Sequence, residues 1–424
     1  MKLSVASLAF LLGASLSFTA RADEPFVTLT DDGTIEQRPL KTTSDLVAIE
    51  TKVLELYDAS GQPTPEILSV WTSFPFGGND GGTYFDPLRL DVTGIGLETV
   101  LGGDGTYDAG IPTLRSILFH NNVLALEKAA NRHHAPLEGY GEYLFLLELS
   151  HNWGPALQLP SPNPGALVGF PFHWSFFMDA GGSPAGGSAW TDNGDGTFTV
   201  VPGTPSNVAF SPLDLYIMGL IPAEEVPPFY VIEDVVAPST PSDPLWGGAV
   251  AAHTFPWFDA ATPLTVTGTR RDVTIDDVVA ANGERSPVAG SKTSYTLGIV
   301  LLTRQADTAD DVAAAKAALR PIADNLAPRF AAATSQKGSL ELITLVPDEP
   351  SGAGGGDPST SGAGGAGGGT TSGAGGSAPR GQDGGGCSLG RDDGSHGEPL
   401  ALVALLALAA SRRRRPGRHD GFRG

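Results

Sequence analysis

Cysteine is almost missing from this sequence, since Cys387 is the single thiol in 424 residues. One cysteine excludes an intrachain disulfide framework and a zinc site built from several cysteines. Basic residues are scarce too, with 26 Lys and Arg against 47 Asp and Glu. Residues 23–350 hold 16 basic and 41 acidic side chains, a net charge of −25. That charge excludes nucleic acid and anionic membrane surfaces as expected partners of this segment.

Two common catalytic signatures are also missing. The sequence contains no Gly-rich phosphate-binding loop and no Gly-x-Ser-x-Gly nucleophile elbow. These absences disfavour nucleotide-dependent chemistry and a serine hydrolase of that type. No internal repeat is present, so the length predicts one large domain or two ordinary ones.

The N-terminus has the pattern of a secretory signal. Lys2 supplies the charged start, residues 3–18 the apolar core, and Ala20-Arg21-Ala22 the cleavage site that ends at Ala22. We therefore predict a signal peptide over residues 1–22, export of the chain, and an ectodomain over residues 23–345.

The C-terminus reads as a tether followed by an anchor. Residues 346–386 are predicted to be a Gly/Ser-rich linker, with 17 Gly in residues 351–386. Residues 387–424 then hold Cys387, a short apolar run and four arginines: Arg412, Arg413, Arg414 and Arg415. This order resembles the myxobacterial C-terminal sorting tag (MYXO-CTERM). The resemblance implies processing at Cys387, contact of the C-terminal segment with membrane, and retention at the cell surface or outer membrane, with extracellular release as the alternative.

The most informative stretch is residues 142–153, which contain no Gly or Pro and are apolar on nearly every side. Such a run predicts a buried helix. Glu148 and His151 are three residues apart, so they lie on neighbouring parts of one helical face. A buried carboxylate needs a cation, hydrogen-bond donors or a metal-bound water, or it must remain protonated. A structural ion pair is the alternative to a functional site here.

Other elements follow from periodicity and turn signals. We predict a hairpin over 27–37, strands over 67–74, 95–101, 114–123, 229–236, 264–266 and 295–303, and helices over 44–57, 124–132, 211–220 and 307–333, the last one interrupted at Pro321 and Pro328. Alternation across residues 190–201 favours a second hairpin over a calcium loop, because no bidentate Glu follows its Asp-rich turn.

The window Leu147-Glu148-x-x-His151 resembles the H-E-x-x-H helix of zinc metallopeptidases. Together with His173-Trp174-Ser175 and residues 193–197 and 211–220, it resembles secreted bacterial metallopeptidase-like proteins over about residues 65–335. The resemblance implies an α+β, zincin-like domain with a mixed sheet and an active-site-type helix. It makes Glu148 the catalytic base, His151 a zinc ligand, and His173 a third ligand. Leu147 stands where the first zinc histidine belongs.

A substitute ligand would be needed for zinc, because catalytic zinc keeps three protein ligands. Asp214 is one candidate, and it also suits the N-terminus of its helix. His120, His133 and His134 are others, with core packing or solvation as alternatives. His173 has packing beside Trp174 as its own alternative.

Three functions are compatible with these residues. The first is a surface-anchored zinc metallopeptidase in which Glu148 activates a metal-bound water on a peptide substrate. The second is a pseudopeptidase that binds a peptide or surface partner. The third is a structural surface protein. Leu147 favours the second over the first, and the aromatic segment around His173 favours either over the third.

Overall fold

The computed structural model describes residues 24–38, 40, 43–77, 83–97, 106–108, 113–169, 172–236, 256–261, 264–343 and 345. Within these ranges no helix is both long enough and apolar enough to cross a bilayer. The predicted signal peptide, the whole linker and the anchor segment lie outside the described residues, and so do Ala22, Cys387 and Arg412 to Arg415.

The described part of the chain forms an α+β fold, as the resemblance implies. Its strands are β1 (Val27–Asp31), β2 (Ile67–Thr72), β3 (Tyr84–Pro87), β4 (Arg89–Asp91), β5 (Thr106–Asp108), β6 (Ser116–Asn122), β7 (Trp174–Asp179), β8 (Gly186–Asp192), β9 (Thr197–Val201), β10 (Phe229–Val236), β11 (Thr265–Val273), β12 (Ser294–Arg304) and β13 (Ser339–Leu342). Its helices are α1 (Thr43–Ala59), α2 (Leu126–Arg132), α3 (Tyr140–Ser150), α4 (Pro212–Met218), α5 (Ile275–Asn282) and α6 (Ala309–Ala333).

A mixed sheet with the order β1-β12-β2-β6-β3 lies at the centre of the domain, and β13 also pairs with β12. The strands run parallel except β3, which is antiparallel to β6 at one edge. All six residues of β2 are buried, as expected for a parallel strand covered on both faces. On one face Phe145, Leu146 and Leu149 of α3 join the largest apolar cluster.

A small closed barrel follows in the chain, with the strand order β10-β11-β9-β8-β7. A separate apolar cluster fills it, and its large members are the aromatic side chains Phe176, Phe177, Trp190, Phe198, Tyr230 and Trp257. The predicted hairpin over residues 190–201 is confirmed as β8 and β9 of this barrel. Closure of the barrel could not be predicted from the sequence, because it depends on pairing between strands that are far apart in the chain.

Several predicted elements are confirmed within a few residues. They are α1, α2, α3, α4, β2, β6, β10 and β12. For α4 the caps agree as well: Pro212 takes the first position, Ser211 is the N-cap, and Gly219 ends the helix with φ 76°. Glycine suits that end because a positive φ is strained for other residues.

Three predictions of local structure are wrong. Residues 27–37 do not form a hairpin, because β1 pairs in parallel with β12. Residues 95 and 96 are bends and Leu97 is helical, while the rest of the strand predicted over 95–101 lies outside the described residues. Helix α6 continues through Pro321 and Pro328. Both prolines are on its exposed side, while buried Leu319, Ile322, Leu326 and Phe330 hold the helix against the core.

Candidate functional site

The candidate site is built on α3, which is enclosed by protein on all sides. Every residue from Tyr140 to Ser150 except Glu142 is buried. A Cβ added to Gly141 would lie 2.6 Å from Ile322 Cδ1, so this glycine permits the close approach of α6. The helix ends earlier than residue 153, because residues 151–153 form a turn and Gly154 adopts φ 139°.

Leu147 points into an apolar environment. It is 0% exposed and belongs to a cluster of buried side chains that includes Tyr143, Val208 and Phe258. Val208 and Phe258 come from segments that follow β9 in the chain. The position of the first zinc histidine in the resembling helix is therefore occupied by hydrophobic packing in this protein.

Glu148 is 0% exposed and has one hydrogen-bond partner within the described ranges. Its Oε1 accepts a hydrogen bond from Thr83 Oγ1 at 2.5 Å, whereas Oε2 has no partner there. Burial raises the pKa of Glu148 to about 8, and the Thr83 bond opposes this only in part. The carboxyl group is therefore mostly protonated at neutral pH, and a protonated carboxyl cannot act as a general base.

His151 is the C-cap residue of α3 and is 1% exposed. Its Nδ1 lies 3.4 Å from the carbonyl oxygen of Gly154, and a backbone group of Phe172 also hydrogen-bonds the ring. Both contacts raise the pKa of His151, which is the effect of carbonyl acceptors. Burial, followed by the neighbouring His173, outweighs them and holds the pKa well below its ordinary value of 6.5, so the imidazole is neutral.

The structure places His173 beside His151, as the resemblance implies. The two rings meet edge to face with centroids 4.9 Å apart, and His173 is 1% exposed. Phe85 and Phe172 also lie against the His151 ring, at centroid distances of 5.7 and 6.2 Å. The setting of this histidine pair is thus largely aromatic.

Asp214 has the helix-capping role that was the alternative to metal binding. Its Oδ2 accepts hydrogen bonds from the backbone N–H and the hydroxyl of Ser211, at 2.7 and 2.6 Å. Its Oδ1 accepts the indole N–H of Trp174 at 2.6 Å, and Ser183 donates a further bond. Both carboxyl oxygens of Asp214 are therefore engaged: Oδ2 caps α4 through Ser211, and Oδ1 joins α4 to β7 through Trp174.

These contacts allow a test of whether zinc fits. Among the residues that the structure describes, no group of three or more His, Cys, Asp or Glu side chains has the spacing to hold a metal ion. Asp214 is engaged by donors, Leu147 is apolar, and the ring of His151 is hydrogen-bonded to backbone groups at Gly154 and Phe172. The donor set present does not fit a catalytic zinc site with three protein ligands.

Thr83 is a part of the site that was not predicted from the sequence, whereas His120 was one of the candidate substitute ligands. His120 is 1% exposed and stacks on Trp71 with centroids 4.3 Å apart. It is also 5.9 Å from the Phe145 ring of α3, and burial lowers its pKa to about 3. No sequence signal marks Thr83, because its bond to Glu148 spans 65 positions of the chain.

Comparison of the chain with protein-family models, curated proteins and solved structures gave no match.

Proposed function

We propose that this chain is an exported cell-surface protein whose zincin-like domain binds a peptide or protein partner without hydrolysing it. The burial of Leu147 in an apolar cluster is the observation that carries this proposal. A peptidase of the resembling type needs a metal ligand at that position, and this chain uses the position for packing.

The zincin-like part of the proposal is supported by how α3 is placed. The helix packs against β6 and the antiparallel edge strand β3 of the mixed sheet. It brings Glu148 next to Thr83 at the start of β3, and it brings His151 next to His173. These contacts support an active-site-type helix packed on a mixed sheet, and the zincin-like assignment itself rests on the sequence resemblance.

The absence of hydrolysis is supported by the state of the candidate base. Burial raises the pKa of Glu148 to about 8, which favours the protonated form at neutral pH, and the 0% exposure of this residue leaves a peptide substrate no access to its carboxyl group. The donors present do not supply the three protein ligands that would hold a metal near it. Partner binding and a structural role at the surface are the alternatives to hydrolysis, and the peptide-binding test below separates them.

The proposal is tested by assaying the full-length chain for peptide hydrolysis with and without added zinc. We expect no zinc-dependent cleavage and no difference between the wild type and Glu148→Gln. Zinc-dependent hydrolysis that disappears in Glu148→Gln would establish the metallopeptidase function instead.

Binding is tested with a peptide set of graded charge. The net charge of −25 over residues 23–350 predicts preference for basic peptides and weaker binding at high salt. Failure to bind any peptide of the set would favour the structural surface protein.

Surface anchoring is tested at Cys387, which lies between the linker and the apolar run. We expect Cys387→Ala to release the protein from the cell surface into the medium. The control is Ser388→Ala, which alters the neighbouring residue and keeps the thiol. Unchanged surface retention of Cys387→Ala would contradict the sorting-tag interpretation.

A further inference from the structure

The interface between the mixed sheet and α3 buries two polar groups that the proposed function does not use. Glu148 Oε2 and both ring nitrogens of His120 have no hydrogen-bond partner within the described part of the chain. Their residues are 0% and 1% exposed, respectively, so bulk water cannot satisfy them. Buried polar groups in native proteins nearly always have a partner.

The strand register shows that these groups face the same space. Tyr84 of β3 pairs with Phe119 of the antiparallel β6. Thr83 directly precedes Tyr84 and His120 directly follows Phe119, so the two residues lie at neighbouring strand ends, and the His120 ring is 5.9 Å from the ring of Phe145 on α3. Thr83 in turn donates to Glu148 Oε1, so the hydroxyl links the carboxyl of α3 to the strand position beside His120.

His120 lies in a β-bulge of β6. The pairing of β2 with β6 shifts between Val70 and Trp71, whose partners are Phe119 and Asn121. His120 is the extra residue, and its ring stacks on Trp71. Bulges redirect a side chain and are frequent beside functional sites.

We propose that Glu148, Thr83 and His120 form a binding site for one internal water molecule, which joins the carboxyl group of α3 to the imidazole of β6. Water fits because it both donates and accepts, so a single molecule can bond Glu148 Oε2 and one ring nitrogen of His120. A metal ion does not fit, because the described residues offer no group of three metal-binding side chains. The water fixes the edge strand β3 to α3 in place of the metal chemistry of the resembling helix.

A double-mutant cycle on the full-length chain tests this site. Glu148→Met keeps the length of the side chain, and His120→Phe keeps the stacking on Trp71. Each single change leaves the other group without its bridge, whereas the double variant removes both groups. Each single substitution raises the unfolding equilibrium constant by some factor. We expect the factor for the double variant to be smaller than the product of the two single factors, by about threefold or more.

A matched control uses Glu142→Met in place of Glu148→Met. Glu142 is on the same helix, but it accepts a hydrogen bond from Asn325 at 2.9 Å. The factors by which Glu142→Met and His120→Phe change the unfolding equilibrium constant should therefore simply multiply in the double variant. Independent effects for the Glu148 and His120 pair as well would overturn the proposal.

A diffraction structure of the full-length wild type decides the question even if a variant fails to fold. We expect density for one water within hydrogen-bond distance of Glu148 Oε2 and a ring nitrogen of His120. A direct bond between these two side chains, or no density between them, would refute the water site.

Discussion

Glu148 and Asp214 are buried to nearly the same extent, at 0% and 2% exposure, but their surroundings differ. Glu148 has one hydroxyl partner and a second oxygen without a described partner. Asp214 accepts bonds from Ser211, Trp174 and Ser183. Both residues were candidates for a role at a metal site. Their partners show instead that Asp214 caps α4, whereas Glu148 keeps one oxygen without a described partner.

The comparison shows how partners decide the role of a buried carboxyl group. Burial raises the pKa of both side chains. Several donors oppose this effect at Asp214, whereas a single threonine opposes it at Glu148. A fully bonded carboxyl group stabilises the fold through its partners, whereas a partly bonded one keeps an oxygen that an internal water can bind.

The largest effect is expected from Asp214→Ala. The substitution leaves the buried donors of Trp174 and Ser211 without their acceptor, at about 1–3 kcal/mol for each. We expect a total loss of about 3–5 kcal/mol of unfolding free energy, measured by urea denaturation. Asp277→Ala is the control, because Asp277 forms the same capping box with Thr274 at an exposed site and should cost about 0.5–2 kcal/mol. Equal losses would show that the buried bonds of Asp214 add nothing to the cap.

Leu147→His tests whether the segment of α3 that holds Leu147 and Glu148 is a degenerate zinc site. Because Leu147 lies in an apolar cluster, we expect a loss of roughly 1–3 kcal/mol and no rise in melting temperature with zinc. Leu146→His, at an equally buried position of the same helix, is the control. A rise in melting temperature with zinc for Leu147→His alone, reversed by a chelator, would favour the metallopeptidase over the binding protein.

Thr83→Val removes the one described partner of Glu148. We expect a loss of about 1–2 kcal/mol, because a buried carboxyl oxygen loses its donor. Thr51→Val removes an exposed hydroxyl that bonds Val47 O at 2.7 Å, and it should change stability by less than about 0.5 kcal/mol. A Thr83→Val protein as stable as the wild type would mean that the bond between Thr83 and Glu148 contributes nothing.

The smallest effect at neutral pH is expected from Glu148→Gln, which replaces a mostly neutral group by a neutral isostere. Its signature is the pH dependence of stability. The pKa of Glu148 is raised from 4.5 to about 8, so its contribution is fully present below pH 4.5 and is lost as pH rises to about 8. Unfolding free energies measured between pH 5 and 8 should fall less steeply for Glu148→Gln than for the wild type. Glu142→Gln serves as the control, and identical slopes for wild type and Glu148→Gln would contradict the raised pKa.

Local sequence signals predicted much of the fold. The buried helix α3 follows from an apolar run without helix breakers, and α4 follows from Ser211, Pro212 and Gly219 at its ends. Each signal acts within a few residues, so sequence alone can reveal it. The role of β1 could not be predicted this way, because its partner β12 lies about 270 positions further along the chain.

The candidate site, like the fold, has some features that the sequence predicts and others that only the tertiary structure reveals. From the sequence it follows that Glu148 and His151 share a buried helical face and that Leu147 interrupts the zinc motif. Only the tertiary structure decides that Thr83 bonds Glu148, that His173 lies beside His151, and that Trp174 and Ser183 bond Asp214. Burial and helical spacing are local properties of a sequence, whereas the partner of a buried polar group is chosen by which distant segments fold against it.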